Sequence, residues 1–130
     1  MKRQTEHWLK SAEEDLILIG EILENAYLTN MIAFHSQQAI EKSIKAVLEE
    51  KETQVPKIHN IITLKAKVEN YIQLPVDQEI FDQINELYID SRYPTDLGLL
   101  PEGKPSMEIA DKFFKLATEI HENIRKYLLG

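Results

Sequence analysis

The stretch that decides the fold reads Phe34-His35-Ser36-Gln37-Gln38-Ala39-Ile40-Glu41-Lys42-Ser43-Ile44-Lys45-Ala46. Its apolar residues recur at helical spacing, and this periodicity predicts an α-helix with one side in a core. Polar side chains crowd the same turns, namely Gln37, Gln38, Glu41, Lys42 and Lys45. The predicted helix is therefore also the first place where functional polar groups are expected.

Outward from this stretch, the same periodicity predicts five helices, over residues 5–26, 31–51, 60–71, 76–91 and 106–129. Asn30 and Ser106 are the expected N-caps of the second and the last helix. Pro94 is expected to end the fourth, because the residue before a proline is pushed out of the helical region. No segment alternates like a strand, so the predicted fold class is all-α. We expect four long helices and an additional short one, packed as an antiparallel four-helix up-and-down bundle in a single domain, residues 1–130.

The composition excludes several classes of partner and site. The formal charge is −7, from 15 basic and 22 acidic residues, so the positive field that duplex DNA requires is missing. There is no cysteine, which excludes disulfides and thiolate metal sites and fits a reducing compartment. No run of about 18 apolar residues is present, so no membrane span is expected. These features predict a cytoplasmic protein that binds neither a membrane nor duplex DNA.

Motifs for metal, nucleophilic and phosphate-loop chemistry are also missing from the sequence. A di-iron helical bundle requires Glu-x-x-His pairs, and none of the four histidines has a glutamate three residues before it. The sequence holds no Gly-x-Ser-x-Gly elbow and no glycine-rich phosphate loop ahead of a helix. We therefore expect no metal ligand, no cofactor and no catalytic residue.

Arg92 and Tyr93 form the sharpest polar candidate, at the predicted end of the fourth helix. The guanidinium fork suits a phosphate, and the tyrosine ring can stack on a base. The alternative is that Arg92 only stabilises the helix dipole as a cation at a C-terminus. Residues 94–105 follow, with three prolines and two glycines. A loop of this length in a compact domain is usually functional or mobile.

Four further residues are candidate members of the same ligand site, and each also has a structural interpretation. Lys42 and Glu41 lie beside the apolar stripe of the second helix, where an ordinary exposed pair is the alternative. Glu41 also precedes Lys45 by four residues, the favourable order for a surface ion pair. His35 is the third, with packing or capping as its alternative. Asp15 is the fourth, and it is placed to reach a partner on another helix.

Three stretches together resemble a known family: residues 34–46, Lys57-Ile58-His59-Asn60 and Ser91-Arg92-Tyr93-Pro94. Their order and spacing resemble the HEPN family, small all-helical domains whose relatives include RNA-cleaving toxins, nucleotide binders and partners of minimal nucleotidyltransferases. The string Gln38-Ala39-x-Glu41-Lys42-x-x-Lys45-Ala46 is the most specific part. The first helix is similar to the opening of the family, with Trp8, Ala12, Asp15 and Leu16. His59, for which a capping role is expected, fits the start of the third helix.

One family feature is missing here. The ribonuclease branch carries an arginine followed, after four to six residues, by a histidine. The corresponding arginine would be Arg92, and the histidine would fall at Leu97, Gly98 or Leu99. No histidine follows Arg92 before His121 in the last helix. The resemblance therefore implies a binding role more than RNA cleavage.

Two function hypotheses stand at this point. The first is a non-catalytic module that binds a nucleotide, partners a minimal nucleotidyltransferase, or does both. The second is a ribonuclease toxin of a toxin–antitoxin pair, with a degenerate or displaced active site. The resemblance also implies a homodimer. Extra apolar positions beside the stripes of the first and last helices favour that assembly: Ile17, Leu18, Leu128 and Leu129.

Overall fold

Helices make up the architecture of the computed structural model, which describes residues 1–87 and 97–130. The helices are α1 (Arg3–Ile22), α2 (Thr29–Lys51), α3 (Ile61–Val68), α4 (Gln78–Asn85) and α5 (Met107–Leu129), with a 3-10 turn at Ala26–Leu28 before α2. In these residues the only extended pairing is an isolated bridge between Leu100 and Gly103. The predicted all-α class is confirmed.

The second helix occupies the centre of the fold. It packs against α1, α3, α4 and α5, and it is buried on most of its surface. Ile40, Ile44, Val47 and Leu48 of α2 meet Phe81 and aliphatic residues of the other helices in one apolar core. This arrangement is compatible with the predicted antiparallel bundle. Because most of α2 is buried, its polar side chains require hydrogen-bond partners within the protein.

The third and fourth helices are shorter than predicted. Each has only eight residues, so the chain has three long helices in its described part and not four. Asn60 and Asp77 cap their beginnings with side-chain oxygens. At the end of α4, the Asn85 side chain accepts a hydrogen bond from the backbone N–H of Ile61 at the start of α3. That tertiary contact lies at the end of α4, which the periodicity had extended to residue 91. Pro94, predicted to end it, lies outside the described residues.

The predicted cap at Asn30 is wrong, whereas the cap at Ser106 is confirmed. Helix α2 begins at Thr29, directly after the 3-10 turn, and Asn30 lies in its first turn. The Asn30 side chain instead donates to the backbone carbonyl of Leu97 at 3.2 Å. Ser106 accepts from the backbone N–H of Ile109, as an N-cap does.

The described part of the long loop, residues 97–105, is fixed against the beginning of α2. Gly98 has a φ of +73°, and a Cβ there would overlap the backbone carbonyl oxygen of Asn30. Only glycine fits this close approach without moving the main chain. Lys104 donates to the carbonyl of Tyr27 at 2.8 Å, and its ammonium lies over the Tyr27 ring. Through Gly98, the loop therefore lies against Asn30 and Phe34 of α2, next to His35 in the sequence.

Within residues 1–87 and 97–130, no helix combines the length and the apolar character that crossing a membrane requires.

Candidate functional site on the second helix

The first polar centre joins α1 to α2 through a single carboxylate. Asp15 is buried, and its two oxygens have different partners. Nδ1 of His35 lies 2.8 Å from one oxygen, and the ammonium of Lys42 lies 2.8 Å from the other. His35 and Lys42 are seven residues apart, or two helical turns, so both side chains reach the same acid from one face of α2.

The second centre repeats this chemistry around Glu41. Its carboxylate lies 3.0 Å from the ammonium of Lys45 and 3.0 Å from Nδ1 of His59. Glu41 and Lys45 are both almost fully buried, with side-chain exposures of 7% and 6%. The His59 side chain is 82% exposed. A buried carboxylate and a buried ammonium thus form an ion pair, and the exposed imidazole contacts the carboxylate.

Two glutamines extend the second centre along α2 toward the first. The Gln38 amide donates to the Gln37 side-chain oxygen at 2.7 Å, and the Gln37 amide donates to Glu41 at 3.3 Å. Gln38 lies between His35 and Lys42 in the sequence of α2. The polar residues of the deciding stretch therefore form two neighbouring carboxylate–lysine–histidine centres. This packing also accounts for the buried Gln37, Glu41 and Lys45 of α2, because each has a side-chain partner.

The carboxylate fixes which ring nitrogen of each histidine carries a proton. A carboxylate accepts hydrogen bonds, so Nδ1 of His35 and of His59 must be the N–H that donates. In the neutral ring, Nε2 is then a proton acceptor, whereas in the imidazolium it is a donor. Lys42, whose side chain is 23% exposed, adds a cation that Asp15 holds in position.

The described residues do not provide a metal centre. In residues 1–87 and 97–130, no three His, Asp or Glu side chains come close enough to share an ion. In each centre a lysine occupies the carboxylate that would be required as a metal ligand. The donor set of each centre is thus one carboxylate shared by a lysine and a histidine.

Residues 5–127 match the family model of the HEPN domain, which is nearly the whole chain. The chain belongs to the HEPN domain family. Among solved structures, the crystal structure of an archaeal HEPN homologue is similar to it, with 26% sequence identity and a TM-score of 0.68. That similarity covers 97% of this chain and 98% of the archaeal one. No curated protein matches the sequence.

The structure of this HEPN domain brings together three of the six predicted site residues. Asp15, His35 and Lys42 form the first centre, and the expectation that Asp15 reaches another helix is confirmed. The alternative for His35, a packing or capping role, leaves out the contact of its ring with the Asp15 carboxylate. Arg92 and Tyr93 lie outside the described residues.

The sixth predicted residue, Glu41, belongs to the second centre, and its surroundings differ from the alternative given above. It does not form an exposed pair with Lys42, because its partners are Lys45 and His59. The favourable spacing to Lys45 does mark a real ion pair, but the pair is buried and not on the surface. His59 does not cap backbone amides either, since Asn60 caps α3 and the His59 ring contacts Glu41.

Sequence reasoning did not identify Lys45 and His59 as members of a polar centre. A signal was present in Gln37, a polar residue in the middle of the inner stripe of α2. A buried glutamine requires hydrogen-bond partners, and the nearest on the same helix face is Glu41, four residues on. The lysine follows at the next i+4 position. The position of His59 depends on the path of the loop before α3, which no periodicity describes.

Proposed function

We propose that this HEPN domain is a non-catalytic module that binds a nucleotide, partners a minimal nucleotidyltransferase, or does both. The site combines the Asp15–His35–Lys42 centre with Arg92 and Tyr93. In this arrangement Lys42 and Arg92 contact the phosphates, Asp15 holds Lys42 in place, and Tyr93 stacks on the base. Glu41 contributes from the neighbouring centre by fixing the polar face of α2.

The observation that carries the proposal is the ion pair between Asp15 and Lys42. A lysine whose ammonium is held by a buried acid has already lost much of its rotational freedom, so that less entropy is lost when it binds a phosphate. The described end of the loop supports the same place, because Leu97 and Gly98 lie against Asn30 and Phe34. Arg92 precedes Leu97 by five residues in the sequence, which supports its inclusion in the same site.

The charge balance also supports a small anion over a long nucleic acid. In the first centre, the charges of Asp15 and Lys42 cancel, so that Arg92 supplies the net positive charge of the proposed site. The protein as a whole carries −7. A local cationic group can hold one or two phosphates, whereas a duplex needs a broad positive surface.

The test is calorimetry of the purified chain with a panel of nucleotides, alone and with any co-encoded nucleotidyltransferase. A charge-assisted hydrogen bond to phosphate is worth about 1.5–3 kcal/mol. Arg92→Ala and Lys42→Ala are therefore each expected to weaken binding by about one to two decades. Lys115→Ala is the matched control, since Lys115 on α5 is also paired with an acid, Asp111, but is 70% exposed. Full affinity in folded Arg92→Ala and Lys42→Ala proteins would refute the site.

A ribonuclease with a displaced site is the second candidate, and one observation favours it. An imidazole whose Nδ1 is fixed by a buried carboxylate is the usual arrangement of a general acid or base. His35 bound to Asp15 has that arrangement. It also follows Phe34, which lies against Gly98, one of the positions where the family motif would place its histidine. RNA cleavage in the presence of a chelator, lost in both His35→Ala and Arg92→Ala, would establish this candidate in place of the binding module.

The assembly expected for this HEPN domain is a homodimer located in the cytoplasm, and both remain proposals. Of the four extra apolar positions, Ile17, Leu18 and Leu129 are exposed. Leu128 is packed against the core instead. Three exposed aliphatic side chains on α1 and α5 support an interface there.

A further inference from the structure

The imidazole of His59 is both exposed to solvent and held in one orientation. Its side chain is 82% exposed, yet its Nδ1 atom lies 3.0 Å from the Glu41 carboxylate. The Gln37 side-chain amide adds a longer hydrogen bond, of 3.5 Å, to the backbone carbonyl of His59. A side chain held in this way loses rotamer freedom, and an exposed ring gains little apolar burial in return. The contact therefore orients the ring and adds little to the core.

The carboxylate that orients this ring belongs to a buried ion pair. The side chains of Glu41 and Lys45 are 7% and 6% exposed. A buried ion pair often stabilises a fold no better than apolar residues of similar size, because both charges must be taken out of water. Stability alone is thus a weak explanation for the pair. What the pair provides at the surface is a fixed acceptor for the Nδ1 proton of one exposed imidazole.

The other three histidines lack this combination of orientation and exposure. Within residues 1–87 and 97–130, only His35 and His59 contact a carboxylate through a ring nitrogen. The His35 side chain is 19% exposed. His7 is exposed without such a contact, and His121 is buried together with its Nε2 atom. Among the described residues, His59 is therefore the histidine whose Nε2 atom is both oriented and open to a reagent from solvent.

The contact with Glu41 makes Nε2 of His59 a nucleophile. Because Nδ1 donates its proton to the carboxylate, the neutral ring carries its lone pair on Nε2. When that lone pair forms a bond, positive charge develops on the ring, and a carboxylate at Nδ1 stabilises this charge. Phosphoryl transfer depends mainly on a positioned nucleophile that reaches phosphorus in line with the leaving group. An oriented ring on an open surface meets that requirement.

We propose that His59 is a phosphoryl-acceptor site, modified on Nε2 by a donor that carries its phosphoryl group on nitrogen, as a phosphohistidine does. The Nε2 lone pair attacks phosphorus and forms a new N–P bond, while the N–P bond of the donor breaks. The donor nitrogen, which is protonated beforehand, takes that electron pair and leaves as a neutral base. The positive charge passes to the His59 ring, where Glu41 stabilises it through Nδ1–H. This activity lies beyond the proposed nucleotide binding and uses none of its phosphate contacts.

The experiment is incubation of the full chain with phosphoramidate at about pH 8, where an ordinary imidazole is neutral. Mass spectrometry of peptides follows the phosphoryl adduct at each histidine, and phosphorus NMR distinguishes an Nε2 adduct from an Nδ1 adduct. His59 is expected to react on Nε2, about tenfold or more faster than His7, because His7 has no carboxylate to stabilise the charge. Equal rates at His59 and His7 would overturn the proposal, as would an adduct on Nδ1 of His59.

A double variant tests the part played by the carboxylate. Removal of Glu41 alone would leave Lys45 buried without its counter-ion and could unfold the chain. Glu41→Gln with Lys45→Met removes both charges and keeps a neutral acceptor at position 41. The rate at His59 is expected to fall by about tenfold, because a charge-assisted hydrogen bond is roughly twice as strong as a neutral one.

His7 is the control within the same chain. Its rate is expected to be the same in the wild type and in the double variant, since it lies on α1 and does not contact Glu41. Circular dichroism checks that the double variant keeps its helices. An unchanged rate at His59 in the folded double variant would overturn the proposal, whereas a selective loss at His59 would support it.

Discussion

Asp15 is the residue on which most of the polar architecture depends. It is buried, and it holds both a lysine and a histidine of the neighbouring helix. Removal of one partner from such a group leaves the others desolvated without compensation. The same residue therefore links the packing of α1 on α2 to the position of the lysine proposed to bind phosphate.

We expect Asp15→Asn to reduce the free energy of unfolding by about 1–3 kcal/mol, because Lys42 is left partly buried without its counter-ion. The loss is smaller than for a fully buried pair, since water reaches Lys42. Asp111→Asn removes an exposed acid that also pairs with a lysine, and its expected effect is close to zero. Urea unfolding of both variants gives the comparison. Equal losses would mean that the Asp15 pair contributes no more than a surface ion pair.

Residue-level prediction from the sequence succeeded where a contact depends on helical spacing. The i to i+4 relation of Glu41 and Lys45 marks a pair that the structure contains. The burial of that pair and its contact with His59 were missed, because both depend on how other parts of the chain pack against α2. Arg92 and Tyr93, the sharpest candidates by residue type, stay predictions that only binding experiments can decide.

At the scale of the elements, the first turn of α1 is attached to the last turns of α2. The Glu50 carboxylate accepts hydrogen bonds from the backbone N–H of Lys2 at 2.8 Å and from the Thr5 hydroxyl at 3.0 Å. Trp8 continues the attachment, since its ring N–H donates to Glu49 and the Lys45 ammonium lies over its face. These contacts satisfy N-terminal groups of α1, whose N-cap residue Lys2 makes no side-chain cap.

The pKa of Glu50 is held below its usual value of 4.5, first by the hydrogen bond from the Lys2 backbone and then by the one from Thr5. A carboxylate with a lowered folded-state pKa stabilises the fold above its unfolded pKa, and this contribution disappears as the pH falls through the folded pKa. We therefore expect wild-type stability to fall on acidification below about pH 4.5 more steeply than that of Glu50→Gln.

The measurement is the urea midpoint of the two proteins as a function of pH, with the Glu50 titration followed by NMR. Glu24→Gln provides the control, because Glu24 is exposed just after α1. Parallel pH profiles for the wild type and Glu50→Gln, together with a carboxyl that titrates at its ordinary pKa, would contradict the attachment.

The bounds of the helices could be predicted from the sequence only in part. Local periodicity located the end of α2 and brought its start within two residues, and periodicity with the Ser106 cap located α5 almost to the residue. The ends of α3 and α4 were extended too far, and at the end of α4 Asn85 bonds instead to Ile61 across the fold. A tertiary hydrogen bond of that kind leaves no periodic signal in the sequence.

At the scale of the whole molecule, the proposed ligand site and the proposed dimer interface lie on opposite sides of α1. Asp15 points to α2, whereas Ile17 lines a cavity between α1 and α5, and two residues correspond to roughly 200° of helical rotation. A 26% identical archaeal relative has a similar fold over nearly its whole length. The scaffold thus separates a polar face, which suits a ligand, from a mixed apolar and charged face, which suits another copy.

This separation predicts that nucleotide binding and dimer formation are energetically independent. Changes at distant sites without shared partners usually add within about 0.3–0.5 kcal/mol, or roughly twofold in affinity. Lys42→Ala should therefore lower nucleotide affinity by the same factor in the wild-type chain and in Ile17→Ser, and Ile17→Ser alone should leave that affinity unchanged. Calorimetry on the two single variants and the double variant measures all three terms. If Ile17→Ser alone lowers nucleotide affinity by about a decade, then the ligand site is shared between two copies, and the separation inferred from α1 is wrong.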